Sequence, residues 1–393
     1  MSEARQHPPP FEPPIDRAAH LALLIEEEAE SIDDARALSP RLVSALGAAG
    51  FFRLLMPADL GGEALPLPEY IRVVEVIAAA DASTGWCLNQ GGVLATNAAF
   101  LNEGVARAIW SHPTSALANG PSPSATAEVV DGGYRVSGRW AFSSGFGHAT
   151  WLAGLAIITE NGERKTNPKG VPLMRHMLFP KRDAVLIDTW DTRGLRGTGS
   201  HDFAVDKLFV PSEYTVWTYG DPVQDENPLY LFPTVLLFAC GFSSVAIGCA
   251  RGALDALITF ATGKTPRGNA SALKDQSMVQ ALVGEAEGDL RAARAYLHQS
   301  VSEVWEQVVS AHRITLEQRV ALRLATTHAI RLSARTVDAA YNAYGSDAIH
   351  GNSPVQRRFQ DIHVITQHIQ GRLAHYESTG RFFLGGDPDR MWL

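Results

Sequence analysis

The chain has 393 residues, of which 46% are apolar and 19% are charged, and its formal net charge is −8. This composition is typical of a soluble globular protein with two or three domains, and the lack of a basic block argues against a nucleic-acid partner. Three scattered cysteines cannot form a disulfide framework, and no Cys/His cluster has the spacing of a metal site. We therefore expect a cytoplasmic location and no bound metal.

The first third of the chain is predicted to be helical. Residues 1–15 contain the run PPPFEPP and are expected to form a disordered or extended tail. Over residues 16–112, apolar residues recur at helical spacing, Pro40 suits the first turn of a helix, and Asp81 or Ser83 suits the cap ahead of Trp86. These signals predict an N-terminal helical domain over 16–112.

A β-domain is predicted over residues 113–212, because alternating apolar residues replace the helical pattern from about Pro113. The run Asp131-Gly132-Gly133 reads as a hairpin turn, so we expect the strands to be antiparallel. No helix-length pattern interrupts these strands, which makes a βαβ nucleotide-binding fold improbable.

The segment 137–151 of this β-domain combines aromatic rings, hydroxyls and glycines. Gly145 would let the backbone approach a flat ligand, and Trp140 and Phe142 could cover a ring system. Ser143 and Ser144 can each donate and accept a hydrogen bond at short range. The alternative is an ordinary β-turn that leads into a core strand.

Helical periodicity returns after residue 228 and predicts a four-helix bundle over 228–393. The predicted helical pieces cover about 234–262, 274–309, 315–344 and 354–384. Residues 227–250 contain no charged side chain, but Pro228, Pro233 and many small residues favour a buried core helix over a membrane span. We therefore expect no membrane association.

Helices, a β-domain and a four-helix bundle in this order resemble the acyl-CoA dehydrogenase architecture, a mainly α member of the α+β class. Two stretches are similar to signatures of that family: GLRGTGSHD at 194–202, followed by LFVP at 208–211, and SPVQRRFQD at 353–361. Tyr344 and Gly345 mark the loop ahead of the second signature. Together these matches extend the resemblance over about residues 16–385.

The dehydrogenases of this family need a carboxylate base, and the resemblance places it at Ile369 or near Phe238, where this chain has no acid. Loss of such a base removes catalysis typically worth ~10²–10⁴-fold. His368 instead follows Asp361 at a spacing similar to that in the flavin-dependent two-component monooxygenases of this fold. The segment around Trp140 also resembles that branch more than the dehydrogenases.

In that branch, reduced flavin arrives from a separate NAD(P)H-dependent reductase and reacts with O₂ to give a C4a-hydroperoxide. The resemblance implies oxygenation of an aromatic or heteroaromatic molecule such as a phenol or indole, or of a nitrogen- or sulfur-containing one, with FADH₂ favoured over FMNH₂. Ser143 or Ser144 would hold the flavin N5 proton, and His368 would act as a neutral base or hydrogen-bond the peroxide. The alternative function is a flavin dehydrogenase or oxidase with a displaced base.

Further site residues follow from position in the family alone. Asn119 and Ser122 would lie at the flavin edge, Arg267 or Lys264 would meet the pyrophosphate across a subunit contact, and Tyr344 and Gly345 would also bind cofactor. Relatives in this fold are tetramers, so we expect a homotetramer. Some monooxygenases of the branch carry a histidine in the helix after Gly85-Trp86, whereas this chain has none through Asn97, which weakens the case for phenols.

Overall fold

The computed structural model describes residues 12–268 and 270–393. Residues 1–11 of the predicted tail lie outside this range, and the tail is shorter than predicted because the first helix already begins at Pro14. Hydroxyl, carboxylate and amide caps start three of the N-terminal helices: Ser39 accepts from Leu42, Asp81 from Thr84 and Asn102 from Val105. The N-terminal helices are α1 (Pro14–Ala35), α2 (Pro40–Ala48), α3 (Leu67–Ala80), α4 (Ala82–Ala95) and α5 (Glu103–Ile109).

The middle of the chain forms one sheet in the order β6-β7-β2-β1-β3-β5-β8, with β4 paired to β3. The strands are β1 (Leu117–Val130), β2 (Gly133–Trp140), β3 (Trp151–Glu160), β4 (Glu163–Arg164), β5 (Met174–Pro180), β6 (Val185–Ile187), β7 (Asp202–Pro211) and β8 (Thr215–Val216). The sheet is mixed rather than purely antiparallel, because β1 and β3 run parallel.

The parallel pair fixes the position of the segment that the sequence singled out. Strand β2 ends level with the start of β1, so residues 141–150 must pass that end of β1 before β3 begins beside it. Thr150 donates its backbone N–H to the Ala116 carbonyl there. The segment therefore lies at the ends of the central strands β2, β1 and β3, on the side of the sheet's helical neighbours.

The C-terminal region contains α6 (Thr234–Gly263), α7 (Ser277–Ala311), α8 (Leu316–Tyr344), α9 (Pro354–Gln367) and α10 (Ala374–Phe383). The first three predicted bundle helices are present at nearly the predicted bounds. The fourth is divided, because His368 leaves the helical conformation (φ −65°, ψ 151°) and a short 3₁₀ turn over Ile369–Gly371 separates α9 from α10.

Helices α4 and α6 pack together in the core between the N-terminal and C-terminal helices. Every residue of α4 is buried. A Cβ at Gly241 of α6 would overlap the side-chain amide of Asn89, so glycine permits this close approach. Helix α6 is long and apolar enough to cross a membrane, but 83% of its most apolar window is buried inside the protein.

Candidate active site

Trp86, on α4, joins four parts of the chain at one place. Its indole ring stacks on Phe242 of α6, with 3.8 Å between ring centroids, and meets the His368 ring edge-on at 4.8 Å. Its Nε1–H donates to the Ser144 hydroxyl at 3.0 Å. Two of the predicted catalytic residues, His368 and Ser144, thereby contact the same indole ring.

The turn that follows β2 carries the two predicted serine hydroxyls. Backbone bonds from Ser143 N to the His201 carbonyl (3.1 Å) and from Gly145 N to the Thr198 carbonyl (2.8 Å) hold this turn, and Gly145 has φ +81°. Ser143 has no exposed surface, and its Oγ has no hydrogen-bond partner within the described residues. Ser144 is also buried, but its Oγ is bonded to Trp86 and to Ser200.

His368 lies at the C-terminal cap of α9 and makes T-shaped contacts with both Trp86 and Phe242, which are stacked on each other. Burial, and secondarily the charge of nearby Arg323, lowers the pKa of its imidazole to about 4. The ring is therefore neutral near pH 7. Its Nδ1 accepts from the Gln370 backbone N–H at 3.4 Å, which assigns the remaining proton to Nε2.

Two arginines of α8 hold the turn that contains His368. Arg323 is fully buried and donates to the Gln370 side-chain carbonyl at 2.6 Å and to the Trp392 backbone carbonyl. Arg331 donates to the Gly371 carbonyl, which closes the other end of the turn. These contacts fix the direction of the His368 ring through its backbone.

The two positions of the dehydrogenase base are occupied by apolar side chains. Phe238 stacks on Phe242, with 5.7 Å between centroids, and Ile369 lies in the 3₁₀ turn after His368. Neither side chain can take a proton from a substrate. The region around Trp86 is consequently apolar, with the Ser144 hydroxyl and the neutral His368 imidazole in contact with the indole ring, and we call this region the Trp86 cleft.

Behind this cleft, a buried carboxylate fastens the 194–202 loop to α9. Asp361 Oδ1 accepts from the Leu195 backbone N–H at 2.6 Å, and a Cβ at Gly194 would overlap the Gln360 backbone. Burial, together with the charge of the nearby carboxylate Asp81, raises the pKa of Asp361 to about 7.

The Asp361→Asn variant should therefore be more stable than the parent protein at pH 8, by on the order of 2–4 kcal/mol, and this advantage should shrink at pH 5, inside the window between 3.8 and about 7 over which the effect develops. A carboxyl whose pKa is raised from 3.8 to about 7 by folding stabilises the native state at low pH and loses that contribution as pH rises through 7. Asparagine keeps the oxygen that accepts from Leu195 and never ionises. Denaturant unfolding at the two pH values measures the difference.

Asp338→Asn is the matched control, because Asp338 also contacts α9, through His363 at 2.9 Å, but is half-exposed. An exposed pair of this kind is worth less than about 1 kcal/mol at either pH. Equal effects of the two substitutions at pH 8 would contradict the proposed ionisation of Asp361.

The structure does not support a ring-covering role for Trp140. Its side chain has no exposed surface, donates Nε1–H to the Leu155 carbonyl at 2.8 Å and stacks on Phe203, so it belongs to the core of the sheet. A Cβ at Gly120 would overlap it, which shows how tightly the ring is enclosed. Phe142 has φ +62° and is 66% exposed, so it projects to solvent instead of walling the cleft.

The two predicted flavin-edge residues on β1 differ in their surroundings. Asn119 is buried, and its Oδ1 accepts from Gln90 of α4 at 2.8 Å, one turn after Trp86. Ser122 is exposed, in the irregular stretch where the pairing of β1 with β3 shifts. Only Asn119 is tied to the helix that carries Trp86.

Tyr344, Gly345 and the loop that carries Arg267 all lie near the end of α6, far from Trp86. Tyr344 stacks on Phe260 at 3.9 Å, Lys264 pairs with Asp347 at 2.8 Å, and Arg267 is exposed in the loop after α6. At roughly 1.5 Å per helical residue, the end of α6 is about 30 Å from Phe242. One chain therefore does not bring this group to the Trp86 cleft.

Family models match both helical parts of the chain. The acyl-CoA dehydrogenase N-terminal domain matches residues 20–105 and the C-terminal domain matches residues 240–372. Indole-3-acetate monooxygenase from Pseudomonas putida is 33% identical over 380 residues, covering 97% of this chain and 94% of that protein. The chain belongs to the flavin-dependent monooxygenase branch of the acyl-CoA dehydrogenase family.

Two further relatives agree with membership of this monooxygenase branch. The FADH(2)-dependent resorcinol hydroxylase oxygenase component from Rhizobium sp. is 28% identical over 378 residues, with 90% of each chain covered. The crystal structure of 3-HSA hydroxylase from Rhodococcus sp. RHA1 superposes with a TM-score of 0.88 at 26% identity, covering 97% of this chain and 99% of that one. The family matches include Trp86, Phe242 and His368.

Sequence reasoning proposed His368 and Ser144 as catalytic residues but did not name the residues that connect them in the structure. Trp86 gave no periodic signal, because α4 is buried on all sides. Phe242 lies in the charge-free stretch, which indicated only a buried core helix. Ser200 lies in the signature at 194–202, which was used only as evidence for the fold. The hydroxyl residues of that signature, Thr198 and Ser200, were the sequence feature that could have indicated hydrogen bonding to the serine turn.

Proposed function

We propose that this chain is the oxygenase component of a two-component monooxygenase, which uses reduced flavin and O₂ to oxygenate an aromatic or heteroaromatic small molecule. The observation that carries the proposal is the Trp86 cleft, where neutral His368 and the buried Ser144 hydroxyl both contact Trp86 and both positions of the dehydrogenase base are apolar. An NAD(P)H-dependent reductase supplies the reduced flavin, and we favour FADH₂. Bound reduced flavin would supply the electrons that activate O₂.

The residues present fit a flavin. The Ser143 hydroxyl is buried without a partner in the described part of the chain, so it is available to bond a polar ligand edge. Ser144 has an acceptor lone pair left after its bonds to Trp86 and Ser200. A ligand with hydrogen-bonding groups along one edge of an apolar ring system satisfies both hydroxyls.

Aromatic side chains would keep water away from the reacting centre. Trp86, Phe238 and Phe242 form a continuous stack from α4 to α6. Exclusion of water prevents the loss of activated oxygen as hydrogen peroxide before substrate arrives. This is the function we assign to the aromatic wall in place of Trp140 and Phe142.

We assign His368 the role of a neutral hydrogen-bond donor. Its pKa of about 4 makes it a weak base, and its Nδ1 lone pair already accepts from Gln370. The Nε2–H is the group left to interact with oxygen at the reacting centre. Of the two roles that the sequence left open, hydrogen bonding is the one that the tautomer supports.

Indole-type heteroaromatics are the substrate class that we favour. The chain is 33% and 30% identical to two proteins named indole-3-acetate monooxygenase. The polar residues of α4 that could replace a phenol-binding histidine are occupied: Asn89 accepts from Tyr70 and Gln90 donates to Asn119. An indole ring needs no second base, whereas phenol hydroxylation gains from one.

We also propose a homotetramer in the cytoplasm, in which Arg267, Tyr344 and Gly345 serve the flavin of a neighbouring subunit. The separation of about 30 Å between the end of α6 and Phe242 supports this arrangement. Arg267 is exposed and suits a pyrophosphate that arrives from outside its own chain.

The function is tested with ¹⁸O₂. The protein, FAD or FMN, a flavin reductase and NADH are incubated with indole, indole-3-acetate, a phenol and a thioether, and products are examined by mass spectrometry. We expect one ¹⁸O atom in an indole product, with no product when the reductase is omitted. Bleaching of oxidised flavin by substrate without reductase would instead favour the dehydrogenase or oxidase alternative.

A further inference from the structure

A chain of four hydrogen bonds runs from Trp86 away from the cleft. Trp86 Nε1–H donates to Ser144 Oγ at 3.0 Å, Ser144 Oγ lies 2.7 Å from Ser200 Oγ, and Ser200 Oγ lies 2.6 Å from Thr198 Oγ1. Thr198 Oγ1–H donates to the Leu195 carbonyl at 2.7 Å. The three hydroxyls are at most 7% exposed, so bulk water does not compete for these bonds.

The two ends of this chain fix the direction of every proton within it. An indole N–H can only donate, a carbonyl can only accept, and each hydroxyl has one proton. Thr198 gives its proton to Leu195, so it must accept from Ser200. Ser200 must then accept from Ser144. Ser144 is left with no proton to donate and with one lone pair that can still accept.

We propose that the Trp86–Ser144–Ser200–Thr198 relay makes Ser144 an acceptor only, so that the site binds reduced flavin, whose N5 carries a proton, in preference to oxidised flavin, whose N5 is an acceptor. Ser200 and Thr198 are positioning residues, which act through Ser144. This inference rests on the proposed function and names the device that selects the redox state of the incoming flavin. The protein takes reduced flavin from the reductase and releases it once oxidised.

Ser143 provides an internal contrast with Ser144. Its Oγ has no partner in the described residues, so its proton can turn either way. A hydroxyl of this kind bonds a donor or an acceptor equally well. Ser143→Ala should therefore weaken both redox states of the flavin to a similar extent, whereas Ser144→Ala should weaken only the reduced one.

The relay is tested by the ratio of two dissociation constants, that of oxidised flavin over that of photoreduced flavin, measured by anaerobic titration with FAD and FMN. In Ser200→Ala, the Ser144 proton has no acceptor and becomes free to bond oxidised N5. We expect the ratio to fall about tenfold, the size of one hydrogen bond. Thr198→Val should lower it similarly, and Thr198→Ser should restore it.

Thr96→Val is the matched control, because Thr96 is equally buried directly after α4 and its hydroxyl donates to the Val93 carbonyl instead of joining the relay. It should leave the ratio unchanged. An unchanged ratio in Ser200→Ala and Thr198→Val, with tight binding of reduced flavin, would overturn the relay and leave the proposed function intact. Failure of the parent protein to bind either flavin would contradict the proposed function itself.

Discussion

Replacing His368 by alanine should lower product formation by about 10²–10³-fold, the usual cost of removing a preorganised hydrogen-bond donor from an active site. Flavin binding should change little, because the Ser144 hydroxyl is bonded to the Trp86 Nε1–H, whereas His368 makes a T-shaped ring contact with Trp86. NADH and O₂ should still be consumed, but the O₂ should be released as hydrogen peroxide. The measurement is the ratio of product to peroxide per NADH oxidised.

Two comparisons separate donation from base catalysis. His368→Gln keeps an N–H donor but no base, so it should retain activity within about tenfold of the parent. His363→Gln is the matched control one turn earlier on α9, where the ring is half-exposed and paired with Asp338. Two results together would show that His368 is a base: equal losses of activity in His368→Gln and His368→Ala, and a fall in the parent protein's activity as pH decreases through about 6.5.

Replacing Trp86 by alanine should lower the free energy of unfolding by about 3–5 kcal/mol, because it leaves a cavity among fully packed helices. The same substitution removes the ring that contacts both Phe242 and His368, and it removes the first donor of the serine chain. Trp86→Phe should cost less, since a phenyl ring can still stack on Phe242. Denaturant unfolding measures the stability of each variant.

Trp110→Ala is the control for the loss of a buried indole. Trp110 is 3% exposed, packs in a separate apolar cluster and has an indole nitrogen without a partner in the described structure. It should lose comparable stability while keeping the coupling of NADH oxidation to product. If the coupling of NADH oxidation to product is equally low in both variants, Trp86 contributes only to general stability.

The order of helices, sheet and helices could be predicted because each part has its own apolar period. The parallel pairing of β1 with β3 could not, since alternation with period two is the same for either strand direction. The break at His368 was also missed. Gly371 lies at the far end of the turn and not at the break itself, and the apolar spacing continues from Ile365 past the turn.

For the site, spacing within signatures found His368 and the two serines, but packing decided what each can do. Trp140 and Trp86 each follow a glycine within two positions, and the sequence favoured Trp140 as the residue that covers a ring system. Only the structure shows that Trp140 stacks within the sheet while Trp86 contacts His368. The proton direction at Ser144 depends on Ser200 and Thr198, which are more than fifty positions away.

The most direct test of the monooxygenase assignment is rapid mixing of the anaerobic protein and reduced flavin with oxygenated buffer, followed by absorbance. If the site protects reduced flavin as proposed, O₂ uptake should precede the return of oxidised-flavin absorbance, and that return should be much slower than with free flavin. The delay should shorten in Ser144→Ala. Return of the oxidised spectrum at the rate of free flavin would contradict the assignment.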